Sequence, residues 1–411
     1  MKVTAIIASG IVAGAALLSL SFPAAAAEKK PANTAKVAAA LKPAQEALQA
    51  KKWQDALAKI REAQAAPDKN AYDVYVIHEF ACQAYLGAQQ YGEAAKECEA
   101  WLGETQYVQE SEKPRIIKTL LALNYQLKNY DKAIEYGQQA VKGGFANEED
   151  KNTLAQAYYL KGDFKSAFKT EDGIIDAEIK AGQQPKEQQL ALVLNSCLKL
   201  DDKACQEHTI ERLVTYYPKP EYWQQLLFTV LHDASGNDGN TMETYRLMFE
   251  VDTLKSASDY NEMAQMAIEQ GSPGEAVKVL EKGFQANVFT DQRAKERNTR
   301  LLDTAKKTAS NDQTTLAKTA AEADKASTGA KNAGVGLAYL GYGQYDKAID
   351  EFQKALTKGG LRNEADTRLL LGVAQYKAGH KDEAYKTWKT VKGDPVLERL
   401  ASLWAVHAKQ G

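Results

Sequence analysis

Apolar residues recur along this chain at spacings of three and four, and no stretch of useful length alternates apolar with polar residues. That is the period of an α-helix with one buried face, so every element it predicts is helical. A longer period runs over the helical one. An aromatic residue, two polar residues and an alanine recur as Trp53-Gln-Asp-Ala56, Tyr91-Gly-Glu-Ala94, Tyr130-Asp-Lys-Ala133, Phe164-Lys-Ser-Ala167 and Tyr345-Asp-Lys-Ala348. Weaker copies end at Ala204, Ala276 and Ala384. Successive alanines are 38, 39, 34, 37, 72, 72 and 36 residues apart. Each step of 72 covers two periods, which places degenerate repeats near residues 240 and 312 and makes ten in all.

Other positions keep the same register. Five residues before the alanine stand Gly162, Gly271, Gly343 and Gly379, where a turn between helices needs a left-handed residue. Twelve before it stand Ala44, Cys82, Ala155, Ala264, Gly336 and Gly372, nine before it Tyr85, Tyr158 and Tyr339, and four after it Ile60, Leu280, Phe352 and Trp388. Small residues twelve before the alanine and at the alanine itself let two antiparallel helices approach, while bulky ones fill the gap to the next pair.

These residues resemble the tetratricopeptide repeat, a helix-turn-helix of about 34 residues. The resemblance runs from 37 to 394 and is strongest at 114–181 and 329–394. The period alone fits any α-solenoid; the Tyr/Gly/Ala phrase points to this one. The resemblance implies an all-α fold, a right-handed superhelix of about ten such repeats. The unbroken spacing predicts a single array rather than separate compact domains. The expected organisation is a signal peptide at 1–27, a linker at 28–36, N-terminal repeats at 37–220, a degenerate repeat at 221–256, a repeat at 257–292, a degenerate hairpin at 293–328, a C-terminal pair at 329–394 and a capping helix at 395–411. Val396, Leu397, Leu400, Leu403 and Trp404 give that last helix one apolar face; a membrane-surface role would need more cations than Arg399 and Lys409. The turn formers from His232 to Asn240 and the anchor-poor Thr308–Gly329 stretch are candidate hinges, the latter expected to be the least stable zone.

A second resemblance lies in the C-terminal two-thirds. Tyr217-Pro218-Lys-Pro-Glu-Tyr222-Trp223, Asn261-Glu-Met-Ala264-Gln-Met-Ala267, Gly271-Ser-Pro273-Gly-Glu-Ala276 and Leu403-Trp404-Ala405 are similar to exported tetratricopeptide proteins that accompany TonB-type energy-transduction systems.

Composition narrows the setting. Lys2 precedes an uncharged run from Ala5 to Phe22, and Pro23 introduces an alanine cluster in which Ala25 and Ala27 fit a small-x-small cleavage pattern. This predicts export to the periplasm, with a mature chain starting at Glu28 and no stable membrane insertion after cleavage. The alternative is a retained anchor, since the run reaches the spanning threshold. With 52 basic against 54 acidic residues, there is no surplus of positive charge for nucleic acid.

Catalytic signatures are missing: His78, His208, His232, His380 and His407 are scattered, and no HExxH, paired Cys-x-x-Cys, phosphate loop or Gly-x-Ser-x-Gly occurs. The chain therefore reads as non-enzymatic, with no cofactor and no metal. Its partners are expected to be other envelope proteins or peptides.

In the tetratricopeptide family the concave face is lined by positions 2, 5, 9 and 12 of each first helix. Carried onto this chain, the resemblance implies a stripe of Arg115, Lys118 and Tyr125, then Asn152, Gln156 and Tyr159, then Gln189, Tyr222, Gln225, Asn261 and Gln265. Amides can pair with a peptide backbone, and tyrosine offers flat amphipathic contact; the competing reading is a solvated polar surface. The family's carboxylate clamp is not supported, because Ala122 stands where Asn is needed after Lys118. In the last two repeats the same slots hold Ala333, Leu337, Leu340, Leu369, Val373 and Tyr376, a patch that is either covered or a docking site. Two functions fit these features: a scaffold for envelope proteins, whose most specific form is TonB-linked uptake, and a factor organising polysaccharide or peptidoglycan synthesis or export.

Four cysteines in an exported chain invite pairing. Residues equidistant from a hairpin turn lie side by side. The midpoint of Cys82 and Cys98 falls at 90 and that of Cys197 and Cys205 at 201, both inside turns, and no other pairing has this property. This predicts Cys82–Cys98 and Cys197–Cys205. The alternative is four buried thiols, since Cys82 and Cys98 occupy a small and a bulky slot.

Overall fold

Polar caps and left-handed turns set the limits of the helices. Residues 31–410 are described by the computed structural model, so the expected signal at 1–27 lies outside the described residues. Among the described residues there are twenty helices and no strand. First, α1 (Ala35–Gln49) pairs with α2 (Trp53–Ala65), α3 (Ala71–Gly87) with α4 (Tyr91–Gly103), and α5 (Lys113–Gln126) with α6 (Tyr130–Lys142). Then follow α7 (Glu148–Lys161), α8 (Phe164–Lys180), α9 (Glu187–Lys199), α10 (Lys203–Tyr216), α11 (Pro220–Asp233), α12 (Asp238–Glu250), α13 (Ala257–Glu269) and α14 (Pro273–Gln285). The chain continues through α15 (Gln292–Asp324), α16 (Ala330–Gly341), α17 (Tyr345–Lys358), α18 (Glu364–Lys377), α19 (Lys381–Trp388) and α20 (Pro395–Gln410).

Capping boxes open three helices: Asn70 with Asp73, Asn147 with Asp150, and Ser256 with Asp259. Each satisfies two backbone donors that a helix start leaves unpaired. Gly162, Gly271, Gly343 and Gly379 all have positive φ, as the turns require, and Lys51, Gln89 and Lys128 adopt the same left-handed conformation at the equivalent positions. The alanine slots are closed contacts: Ala56, Ala94, Ala133, Ala167, Ala276, Ala348 and Ala384 are fully buried. The facing small residues are equally constrained. A Cβ added to Gly336 would lie 2.9 Å from the Phe352 ring, and one on Gly372 would lie 2.3 Å from Trp388 Nε1. Glycine is what lets these bulky residues seat.

The expected all-α solenoid of helical hairpins forms, but in two compact units rather than one unbroken array. The first ends at Phe145 and the second begins at Ala146. A repeat period reports each hairpin's internal geometry and carries no record of how tightly successive hairpins stack. Both expected disulfides are present, Cys82–Cys98 with Cα atoms 5.0 Å apart and Cys197–Cys205 with Cα atoms 5.6 Å apart.

Three local expectations need correction. Ala204 is exposed; Asp201 takes the left-handed turn, so the contact slot five residues later belongs to Gln206, whose amide donates to the Cys197 carbonyl at 3.4 Å. The alanine nearest in sequence was two residues out of register. The hairpin expected at 293–328 is one continuous helix, α15, of 33 residues. No glycine or proline interrupts it, so nothing enforces a turn. Its first half meets α13 through Asn298 and Asn261 (2.6 Å), and its second half meets α16 and α17, where Asn332 and Lys354 reach Asp324.

The third correction concerns the cap. α20 covers α18 and α19 as expected, but it also packs on α10 and α12. Arg399 reaches Glu211 (2.9 Å) and Glu207 (3.1 Å), and Gln410 donates to the Val214 carbonyl at 2.7 Å. Ahead of α20, Asp394 accepts from Asn240, which ties down the turn between α11 and α12 at 3.0 Å. The chain thus closes on itself within the second unit. Helix α12 is consequently buried from Met242 through Met248, and the apolar face of α20 is consumed in the core.

Candidate functional site

Helix α5 buries Ile116, Ile117, Leu120, Leu121, Leu123 and Asn124, so Arg115, Lys118 and Tyr125 are left on the other side, with Arg115 exposed and the other two half-buried. The Arg115 guanidinium lies 4.9 Å from the centre of the Trp101 ring. It also offsets the effects of burial and of Glu112, which together raise the Glu79 carboxyl. Beside it, Tyr72, Tyr75 and Tyr107 form a cluster with ring centres 5.4 to 5.8 Å apart. Burial, then Glu79 and Glu112, push the Tyr75 hydroxyl up to about 12. This aromatic group was missed at the sequence level; the i,i+3 spacing of Tyr72 and Tyr75 was its one local signal.

Helix α7 buries Leu154, Ala155, Ala157 and Tyr158, leaving Gln156 exposed and Asn152 and Tyr159 half-buried. The tyrosines of both stripes are held by the aromatic residue of the repeated phrase. Tyr125 lies 6.2 Å from Tyr130, and Tyr159 meets Phe164 edge-on at 5.3 Å.

Several of the expected ligand contacts are engaged inside the fold. The Asn152 side-chain amide lies 3.0 Å from the Glu171 carboxyl of α8. Gln189 is buried: its amide donates to Glu178 at 3.2 Å and its oxygen accepts from the Lys186 backbone at 2.8 Å. It braces α8 against α9 instead of facing a groove. Tyr222 donates to Glu187 at 2.7 Å, and Asn261 binds both Asn298 and Gln265. Gln225 and Gln265 are exposed. Arg115, Lys118 and Tyr125 belong to the first compact unit and the other eight residues to the second. The apolar patch resolves toward cover. Leu369 is fully buried and Val373 nearly so, in one core with Trp404, while Leu337 packs in a smaller core with Leu316 of α15.

Among the histidines, His78 pairs with Glu97 across the α3–α4 hairpin at 2.6 Å, and His407 lies 3.3 Å from the Tyr376 hydroxyl. Among the described residues no group of His, Cys, Asp and Glu is arranged to hold a metal. No helix there is long and apolar enough to cross a membrane.

No protein-family profile matches the chain, and no curated protein sequence matches it. Solved structures similar to it include a tetratricopeptide repeat protein from Parabacteroides merdae (11% identity, TM-score 0.30, covering 80% of this chain and 98% of that one). Others are Naa15/Naa10 bound to HypK-THB (12%, TM-score 0.37, covering 90% and 65%) and the TPR2AB domain of yeast Sti1 in complex with pHSP90 (14%, TM-score 0.24, covering 73% and 95%).

Proposed function

We propose that this protein is a non-enzymatic interaction scaffold of the cell envelope that binds extended segments of other exported proteins along its first helices. The carrying observation is the stripe on α5, where Arg115, Lys118 and Tyr125 occupy the face opposite a continuous apolar one. A second stripe, on α7, has an exposed amide, Gln156, and a ring, Tyr159, in edge-on contact with Phe164. Cations, amides and tyrosines suit a polypeptide backbone with acidic or aromatic side chains. A periplasmic setting is supported by the export pattern at the start of the sequence and by the two disulfides. The narrower role beside a TonB-type system is supported by the sequence resemblance of the C-terminal two-thirds.

The test is crosslinking in whole envelopes followed by purification and partner identification, with the wild type and with Arg115, Lys118, Gln156 and Tyr159 all changed to Ala. The scaffold reading expects a defined set of protein partners that the quadruple variant, folded by circular dichroism, no longer retains. Unchanged recovery of every partner would remove both stripes, and recovery of glycan without protein would overturn the reading.

A further inference from the structure

Helix α15 gathers positive charge on the side that faces away from the fold. Between residues 292 and 307 it has six cations against two carboxylates, in a chain whose total is 52 basic against 54 acidic residues. Its buried residues are Asn298, Ala305, Ala309, Leu316 and Ala323. On the other side of the helix Arg293, Arg297, Arg300 and Lys307 fall within about 80° of one another, and all four are exposed. They form one straight row about 21 Å long.

The fold leaves this row largely unmatched. Among the described residues Arg293, Arg297 and Lys307 make no side-chain hydrogen bond or ion pair. Arg300 has Glu296 at 3.8 Å, and Glu296 also accepts from Gln292 at 2.9 Å. Glu296 and Asp303 both lie along one edge of the row, while Lys306 turns aside to Glu281 of α14 at 2.8 Å. The arrangement works against the helix that carries it. Arg293 and Arg297 are four residues apart and Arg297 and Arg300 three apart, spacings at which like charges destabilise a helix. Arg293 and Lys295 stand at the N-terminal end, where the first turn holds no acid and cations oppose the helix dipole. The N-cap Asp291 is occupied in accepting from the Ala294 backbone at 2.8 Å. Leu316 is the one large apolar side chain among the buried residues of α15, so these charges are kept on a thinly anchored helix.

Local charge that opposes local structure marks a place where a binding partner supplies the compensation, and an anion laid along the row relieves both the mutual repulsion and the opposed dipole. No large apolar side chain is exposed between 292 and 307, so the face lacks what an interfacial helix inserts into a bilayer. A broad anionic surface would also press against Glu296 and Asp303, whereas a single chain passes along the opposite edge. Three of the four cations are arginines, whose planar fork accepts a carboxylate through two parallel hydrogen bonds. We propose that the outward face of α15 docks an acidic segment of another polypeptide, its carboxylates meeting Arg293, Arg297, Arg300 and Lys307. The row belongs to a different helix from the α5 and α7 stripes, so either surface can fail without the other.

The probes are a fluorescein-labelled alanine-based peptide with glutamate at the spacing of the row, its glutamine counterpart, and vesicles of phosphatidylglycerol. Each is titrated with the full mature chain at low salt, by fluorescence anisotropy for the peptides and by co-sedimentation for the vesicles. The expected result is saturable binding of the glutamate peptide and at least about tenfold weaker binding of the glutamine one. Changing Arg293, Arg297, Arg300 and Lys307 to Gln should weaken the glutamate peptide at least about tenfold. Changing four other exposed lysines, Lys165, Lys169, Lys381 and Lys389, to Gln removes the same charge and should leave binding within about twofold. Freed of its repulsion, the row variant should melt no lower than wild type by circular dichroism. Equal binding of the two peptides, equal weakening by the two variants, or no saturable binding up to about millimolar concentration would overturn the proposal. A row variant that melts below wild type would overturn it by showing that the charges support the helix. Vesicle binding that depends on the row, with the glutamate peptide unbound, would overturn it in favour of a lipid surface.

Discussion

At the scale of single residues, the turns and the small slots carry most of the testable energy. Lys128 pays for a left-handed φ of 61° that glycine adopts without a Cβ clash. The conformation costs about 1–2 kcal/mol for an L-residue, and glycine's extra unfolded-state entropy returns about 0.5–1 of that. Lys128→Gly should therefore raise stability by about 0.5–1 kcal/mol, whereas Gly162→Ala should lower it by a similar amount; paired urea melts decide both. Gly372→Ala pushes a methyl into Trp388 and should cost about 1–3 kcal/mol. Gly92→Ala, at a helical position with open space around it, should instead gain about 0.5–1 kcal/mol. Glu171 yields a pH test. Burial first, against the relief of a Gln189 hydrogen bond, raises its carboxyl to about 7. The unfolded chain thus releases this proton first, and stability falls as pH rises from about 4.5 to about 7. Glu171→Gln should be more stable than wild type at pH 8, by at most about 3 kcal/mol, with the advantage gone at pH 4. An advantage that persists at pH 4 would contradict the assignment.

At the scale of elements, the hairpin is the unit that the sequence specified well. The contact alanines, the turn glycines and the level cysteines are properties of two helices joined by a short turn, so a period read along the chain locates them. Both disulfides follow from that geometry. Replacing Cys82 and Cys98 by Ser should cost about 3 kcal/mol and replacing Cys197 and Cys205 about 2.5 kcal/mol, from loop closure alone. Non-reducing peptide mapping should recover these two pairs and no crossed pair. Legibility fails where the hairpin does. α15 has helical composition but no turn residue, so an assumed period divided a single helix. Around Ala204 the small residue sits one side of the true slot, and only the left-handed Asp201 reveals the register. Of the ligand stripe, exposure was readable for Arg115, Gln156, Gln225 and Gln265. Gln189 was not, because its burial depends on a buried carboxyl of α8 meeting it.

At the scale of the whole second unit, stability depends on the return of α20. Trp404 is almost wholly buried against residues from α12 and α18, so Trp404→Ala should cost about 3–5 kcal/mol. Hydrogen exchange should then speed up in α10, α12 and α18 and stay unchanged in α1 to α6. Loss of protection confined to α18–α20 would mean that α20 is only an end cap. The same closure makes the unit acid-sensitive. Burial works against the Glu250 charge, yet hydrogen bonds from His407 and Lys377 hold its carboxyl down at about 2. Its contribution is complete above about 4.5 and is lost as pH falls toward about 2. Lys377→Met should remove that part of the acid transition.

The sequence by itself determined the helical class, the hairpin period, the contact slots, the turn conformations and the cysteine pairing. All of these depend on residues within about forty positions of one another, where spacing translates directly into geometry. Tertiary structure alone decided the division into two compact units, the burial of α12 and the double contact of α20. Those features join residues more than a hundred positions apart, such as Asn240 with Asp394 and Glu211 with Arg399. Their pairing is set by which surfaces meet after the hairpins have stacked, and no local pattern of apolar and polar residues encodes that meeting.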